Sequence, residues 1–411
     1  MPKSVVFRMW RFPGFCETFL LNQIITSINC GLETKILVED TTPLESNPHK
    51  NLIEQAKIKQ NILIEEYRIP GNIFLAYCRA GFLIFSRSRW LYQFYAYMKS
   101  HKSFQISDIF KFFFFIKLNN YDIVHVQYGT NVKPLEILKL TGALKSKLIV
   151  SFHGHDLHFP INGRISDKDY YDDVFKAADL LITTTGYLRG LLLDLGAPQA
   201  KIKTIPMGVD TNFFMPEHFN KKNSLVKLIT VGRLDELKGQ RYGIEVAKSL
   251  KKRGYHFKYT LVGKGEEKKN LQKLIINYGL ENYVTMLGEK SQNEVRDLLQ
   301  VHDIFLMTSV ESTGKSREGQ GIVALEAQAC GLPVVAFDSG GVKYTFENSK
   351  TGFLVPEGDV NEMTDKVEKL IQNEQLREQM SKAAVKHIEM KFSQNSINEI
   401  WCKVYDSLID G

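Results

Sequence analysis

The sequence predicts an α/β protein built from two doubly wound domains, and three observations carry that prediction. Short apolar runs alternate with amphipathic stretches along most of the chain. The runs are rich in Val, Ile and Leu and mostly lack in/out alternation, which marks strands covered on both faces and hence parallel sheets. The alternation runs twice, and 411 residues exceed one ordinary domain of roughly 100–200 residues.

In chain order, SVVFRMW (4–10), TKILVE (34–39), YDIVHVQY (121–128), KLIVSFHG (147–154), DLLITTT (179–185) and KIKTIP (201–206) read as strands of the first domain. LVKLITVG (225–232), FKYTLVG (257–263), YVTMLG (283–288), DIFLMTS (303–309), PVVAF (333–337) and GFLV (352–355) read as strands of the second. Among the intervening helices, ETFLLNQIITSINCG sets Leu20, Ile24 and Ile28 on one face, with Gly31 at the C′ position. Periodicity lapses and Pro, Gly and Asn gather over 205–224, which predicts domains 1–208 and 209–392. A last helix from about Ser393 is expected to pack back on the first domain.

Ligands of open parallel sheets sit beyond the carboxyl ends of the strands, so chemistry is expected in the loops that follow the runs. GRLDELKG (232–239) places Arg233 and Lys238 in one strand-to-helix loop, a fork and a point charge suited to a diphosphate. EGQGIVALEAQACGLPVVA (318–336) reads as a Gly-rich turn entering a helix over Gln320 to Cys330. Its N-terminus would offer free N–H groups to phosphate. Glu326 would share a face with Gln320 and accept from ribose hydroxyls, and Glu318 could hold sugar hydroxyls. SFHGHDLHF (151–159) carries three histidines, but Leu157 stands where the two-metal motif HxHxDH needs Asp, so no metal is expected. One cleft-lining His is the better reading. The opening WRFPGFCETFLLNQI lacks GxGxxG, which counts against a dinucleotide cofactor, and the GxG of LVGKGEEKKN (261–270) is weak alone. The paired glycines of DSGG (338–341) permit a close backbone approach or a tight turn.

The order and spacing of GRLDELKG, LVGKGEEKKN, EGQGIVALEAQACGLPVVAFDSGG and TGFLVPEGD closely resemble the C-terminal half of the family-4 retaining glycosyltransferases. RFPGFCETFLLNQI, SFHGHDL and IPMGVD resemble the bacterial subgroup that builds colanic-acid-type exopolysaccharides. The resemblance implies the GT-B fold, two Rossmann-like domains facing across a cleft. It implies that Arg233 and Lys238 bind the donor diphosphate, Glu318 faces the donor sugar and Glu326 the ribose. Gly321, Ile322 and Val323 would touch phosphate and ribose, and His153 would lie near the reacting sugar. Gly14 would belong to the loop that approaches diphosphate and acceptor. The implied activity is metal-independent hexosyl transfer from a nucleotide-diphosphate sugar, used as co-substrate with no cofactor, to a saccharide or lipid-linked saccharide. Cys16 replaces the subgroup's usual Ser, and Tyr344 replaces a common Glu after the paired glycines. A sugar-nucleotide epimerase of the same fold and a metal-dependent hydrolase built on HGHDLH are the alternatives.

The charge is uneven. Within 73–118, seven basic side chains (Arg79, Arg87, Arg89, Lys99, Lys102, Lys111, Lys117) face one acid, Asp108, so this window holds +6 of the chain's +7. It also holds fifteen aromatics. Cations interleaved with aromatics suit an anionic membrane surface, the alternative being a core with its cations solvated outside. They do not form the phosphate-tracking stripe of a nucleic-acid binder. Arg79 interrupts the stretch Ile69 to Ser86, which argues against a transmembrane helix. Five scattered cysteines without CxxC suit a reducing compartment and argue against a disulfide scaffold. The expected location is cytoplasmic, peripheral on the inner face of the plasma membrane.

Overall fold

The computed structural model describes residues 3–14, 18–43, 50–100, 104–161, 163–217 and 225–411. The readings on Cys16, Lys102 and 218–224 lie outside them. The first sheet comprises β1 (Ser4–Phe12), β2 (Glu33–Thr41), β3 (Ile62–Ile64), β4 (Ile123–Gln127), β5 (Lys147–Phe152), β6 (Leu180–Thr183) and β7 (Ile202–Thr204). The second comprises β8 (Val226–Val231), β9 (Phe257–Val262), β10 (Val284–Gly288), β11 (Ile304–Met307), β12 (Val334–Phe337) and β13 (Gly352–Val355). The strand orders are β3-β2-β1-β4-β5-β6-β7 and β10-β9-β8-β11-β12-β13. Every strand pairing is parallel. Each of the twelve apolar runs forms a strand, and β4, β11 and β12 are buried along their whole length. β3 was not foreseen. It is a three-residue edge strand whose Leu63 and Ile64 are exposed, so it carries no buried run to read.

Helix Thr18–Asn29 ends as its sequence predicts. Gly31 takes φ +80°, its N–H donates to Ile28 O, and Leu32 N–H donates to Ser27 O. These are the two bonds of a Schellman stop, closed by buried Leu32. The chain crosses between the sheets without regular structure over the described part of 205–224. It then returns, with Gln394 N–H donating to Val209 O at 2.8 Å. Helix Gln394–Asp410 lies on the first sheet, where Ile397, Trp401, Val404 and Tyr405 join the cluster of Val5, Phe7 and Ile149. Burying one such side chain contributes roughly 1.5–3 kcal/mol, enough for four to fix the helix there.

This packing corrects the cysteine reading. Cys30, directly after helix Thr18–Asn29, is disulfide-bonded to Cys402 of helix Gln394–Asp410, 372 residues away. Their separation gives no spacing signal, because only the helix–helix packing brings them together.

The window 73–118 divides between the two readings offered for it. On helix Ile106–Phe115, Phe110, Phe112, Phe113 and Phe115 are core. On helix Ile73–Ser86, Phe74, Tyr77, Phe82 and Phe85 are 71%, 63%, 68% and 85% exposed. Tyr92 and Tyr95 of helix Leu91–Lys99 are likewise exposed. Among the described residues, no helix is long and apolar enough to cross a membrane.

Candidate active site

The carboxyl ends of the two sheets meet between His153 and Gly319. The Gly154 and Gly319 backbones are in contact, and a Cβ on Gly319 would stand 2.7 Å from His153 O. Thr185 Oγ1 donates to Gly319 O at 2.9 Å, Met207 N–H donates to Gln320 Oε1 at 3.0 Å, and Arg317 N–H donates to His158 Nε2 at 3.4 Å. Side chains of both domains therefore face one crossing point.

On the second domain's side, Asp235 caps the loop after β8 by accepting from Lys238 N–H at 3.0 Å. Gly239 follows at φ +57°, packed where a Cβ would meet Thr308 O at 2.2 Å. This turn aims Lys238 Nζ at Glu318 Oε2, 2.5 Å away, with both side chains mostly buried. Arg233 is exposed and held at 3.2 Å from Asp235. Ser309 Oγ also reaches Glu318, at 3.4 Å. Glu318 thus has a cation and a hydroxyl on one oxygen.

Gly341 N–H donates to Glu318 O, and a Cβ on Gly341 would stand 1.9 Å from Gly319 O. The paired glycines therefore approach the Glu318–Gly319 backbone. Similarly, a Cβ on Gly263 would stand 1.9 Å from Gly232 O, so the GxG of 263–265 serves to pack the loops after β8 and β9 together.

The following helix is shorter than expected, Ile322–Ala329, capped by Gly321 at φ +83°. Gln320 lies outside it and reaches Met207 of the interdomain segment, so it does not share a helical face with Glu326. A glycine in the left-handed region, pressed against Met307, ends the helix before Gln320 can join it. Ile322 and Val323 form the first turn, half-buried, with their N–H groups at the positive end of the helix. Glu326 is half-buried, and desolvation pushes its carboxyl up to about 8.

On the first domain's side, Asp156 Oδ1 accepts from the N–H groups of His153 and Gly154, and Oδ2 accepts from Gly129 N–H. These bonds explain the turn after β5. His153 lies among Phe19, Tyr128 and Gln127. Gln127 Nε2 donates to Gln23 Oε1 at 2.8 Å, so its Oε1 accepts from His153 Nε2 at 2.9 Å. That network leaves His153 Nδ1 as an acceptor with no partner among the described residues. Burial depresses the imidazole to about 4, keeping it neutral. His155 is exposed beside Tyr128, and His158 turns to Arg317, so the three histidines diverge. Among the described residues, no group of three His, Cys, Asp or Glu side chains could hold a metal ion. Gly14 follows β1 at the same sheet edge, directly before a segment outside the described residues.

Tyr344 packs its ring on the first turn of helix Gly186–Asp194, where a Cβ on Gly186 would stand 2.8 Å from it. It is therefore an interdomain contact. Gln23 and Gln127 escaped the sequence reading. Their signal was a polar side chain inside an apolar run, since Gln127 is fully buried in β4.

Comparison with known proteins agrees with this architecture. Residues 75–213 match the family model described as Glycosyltransferase Family 4, and residues 212–387 match Glycosyl transferases group 1. A putative colanic acid biosynthesis glycosyltransferase, WcaL of Escherichia coli (strain K12), is 28% identical over 410 residues, covering 96% of this chain and 97% of that one. The amylovoran biosynthesis glycosyltransferase AmsK of Erwinia amylovora is 29% identical over 417 residues, covering 95% and 96%. Among solved structures, Anabaena HepE in complex with UDP superimposes with a TM-score of 0.70 at 19% identity, covering 98% of this chain and 100% of that one.

Proposed function

The chain belongs to the family-4 glycosyltransferases of GT-B fold, and from that premise we propose a retaining, metal-independent transferase of cell-surface polysaccharide biosynthesis. It moves a hexosyl group from a nucleotide-diphosphate sugar to a saccharide carried on a lipid. One observation carries the reading: the Lys238–Glu318 pair stands beside the backbone crossing of His153 and Gly319. On this reading the cation, the carboxylate and the neutral imidazole of His153 serve one donor sugar held between the domains.

Negative charge develops on the diphosphate as its bond to the anomeric carbon breaks. Lys238, Arg233 and the first-turn N–H groups beside Gly321 stabilise that charge without reorganising. The acceptor hydroxyl attacks the anomeric carbon from the leaving-group face and passes its proton to the departing phosphate oxygen. Glu318 orients the donor sugar through its hydroxyls, Glu326 holds the ribose, and His153 Nδ1 accepts from a sugar hydroxyl. Ile322, Val323 and Gly14 complete the donor site. The likeness to HepE, solved with UDP, supports a nucleotide donor. The likeness to WcaL and AmsK supports a polysaccharide product. The exposed aromatic face of 73–99, with its surplus of cations, supports work at a membrane surface that carries the acceptor.

The test is turnover of Lys238→Ala, Glu318→Ala and Arg233→Ala with a panel of nucleotide sugars, folding being checked by circular dichroism. Losses of about a hundredfold or more are expected for Lys238→Ala and Glu318→Ala. Near-native rates in all three variants reject the assignment.

A further inference from the structure

Beside the exposed aromatic face lies a cavity of about 410 Å³ that the transfer reaction does not use. Arg68, Arg79, Arg87 and Lys117 line it, over a floor that includes Leu83 and Phe113. Arg79 and Leu83 share one side of helix Ile73–Ser86 at four-residue spacing, and Arg87, the residue that ends the helix, lines the same cavity. Phe74, Phe82 and Phe85 stand on the neighbouring outer side of the same turns.

The cations are poorly compensated. Among the described residues, neither Arg79, Arg87 nor Lys117 has a carboxylate within ion-pair distance. The one acid in the lining, Glu66, reaches only Arg68, at 3.9 Å between two exposed side chains. Arg79 Nη1 donates to Arg68 O at 2.8 Å, which ties the cation-bearing segments together. Arg87 lies over the Phe113 ring and Lys117 over the Phe114 ring. Burial and the charges of Arg87 and Arg68 hold the Lys117 ammonium below the usual lysine range. An anion placed here gains from four charges that otherwise repel one another. The larger neighbouring cavity, of about 770 Å³, is mixed, with acids that include Glu39, Glu65 and Glu136 set against Arg8, Lys111 and Lys133 in its lining.

Resting on the reading that this face meets a membrane, we propose that the cavity seats the phosphate headgroup of an anionic phospholipid while the outer side of helix Ile73–Ser86 enters the acyl boundary. The apolar side selects a bilayer over water. The cavity then sets the depth and rotation at which the helix rests, because Arg79 within it and Arg87 at its end are fixed to the same helix as the exposed aromatics.

The experiment is co-sedimentation of the full chain with phosphatidylcholine vesicles, with and without phosphatidylglycerol. The wild type is expected to bind only the anionic vesicles. Arg79→Gln with Arg87→Gln should weaken that binding about thirtyfold, the effect of two interfacial cations. Lys252→Gln with Lys269→Gln removes the same charge from exposed sites on the second domain and should change it less than about twofold. Equal losses from the two pairs would mean general attraction, which overturns the cavity while leaving the membrane face intact. Release by Phe82→Ser with Phe85→Ser but not by the arginine pair would do the same. Binding of inorganic phosphate that is lost in the arginine pair but leaves vesicle binding unchanged would assign the cavity to a soluble anion and overturn the lipid. A wild type that binds neither vesicle removes both the proposal and the membrane reading beneath it.

Discussion

The two walls of the cleft are built in opposite ways. The second domain's wall is charged: Lys238 is paired to Glu318, and exposed Arg233 is paired to Asp235. The first domain's wall is neutral: His153 is depressed to about 4 and held by an amide, which is held by another amide. The backbone beneath each wall differs in the same sense. Glu318 rests on glycines 319, 340 and 341, which let peptide planes touch, whereas His153 rests on one buried carboxylate that gathers three N–H groups. On the proposed mechanism, the difference matches where charge would change during reaction. In that proposal, fixed charges meet the leaving diphosphate as it gains charge, and hydrogen bonds of fixed direction serve where only orientation is needed.

If that division holds, the charged wall carries the largest effect. Lys238→Ala should lower kcat by about 10²–10³, with a smaller change in KM, because the interaction strengthens in the transition state. A loss confined to KM would break the comparison, making Lys238 a ground-state anchor. The glycine support comes next. Gly341 has an ordinary φ, so Gly341→Ala tests only the contact with Gly319 O at 1.9 Å. It should cost about 1–3 kcal/mol in thermal or urea unfolding and lower turnover through displacement of Glu318. Unchanged stability and rate would show that the crossing tolerates movement.

These walls were unequally legible in the sequence. Strands were easy because a parallel sheet buried on both faces leaves runs with no polar interruption, as β11 and β12 show. Lys238 and Glu318 were legible as residue types in strand-end loops, although their pairing needs the Gly239 turn to aim the lysine. The neutral wall was harder. Gln23 and Gln127 are 104 residues apart and meet only when helix Thr18–Asn29 covers β4. Cys30 and Cys402 were hidden by the same distance rule. Helix Ile73–Ser86 was ambiguous for another reason. Exposed and buried aromatics look alike in composition, and only packing assigns Phe82 to solvent and Phe112 to core.

The neutral wall should answer more weakly. His153→Asn removes an uncharged hydrogen-bond acceptor and should cost about tenfold in kcat/KM. Because the imidazole stays neutral above its depressed value of about 4, the wild-type rate should show no His153 limb between pH 5.5 and 9. A limb near pH 6.5 that disappears in His153→Asn would place a charge on this wall and end the contrast.

The smallest effect expected belongs to Glu326, a titrating group on the charged wall with no cation assigned to it. Its carboxyl is raised by desolvation to about 8 in the folded chain, against an ordinary value near 4.5. The native state therefore holds a proton that the unfolded state has lost across the window from about 4.5 to 8. Its contribution to stability is full below that window and is lost as pH rises through the folded value. Glu326→Gln keeps the shape without the titration, so its Tm should exceed the wild type's at pH 8.5 by about 2–4 °C and match it near pH 5. UDP serves as a second probe. Ribose hydroxyls donating to the carboxylate favour its ionised form, so binding near pH 7 should release up to one proton, measured by calorimetry in buffers of different ionisation enthalpy. Proton release by the wild type and none by Glu326→Gln places the ribose on this side chain. Equal release from both chains assigns the titration elsewhere and leaves Glu326 as a buried carboxyl of the helix alone.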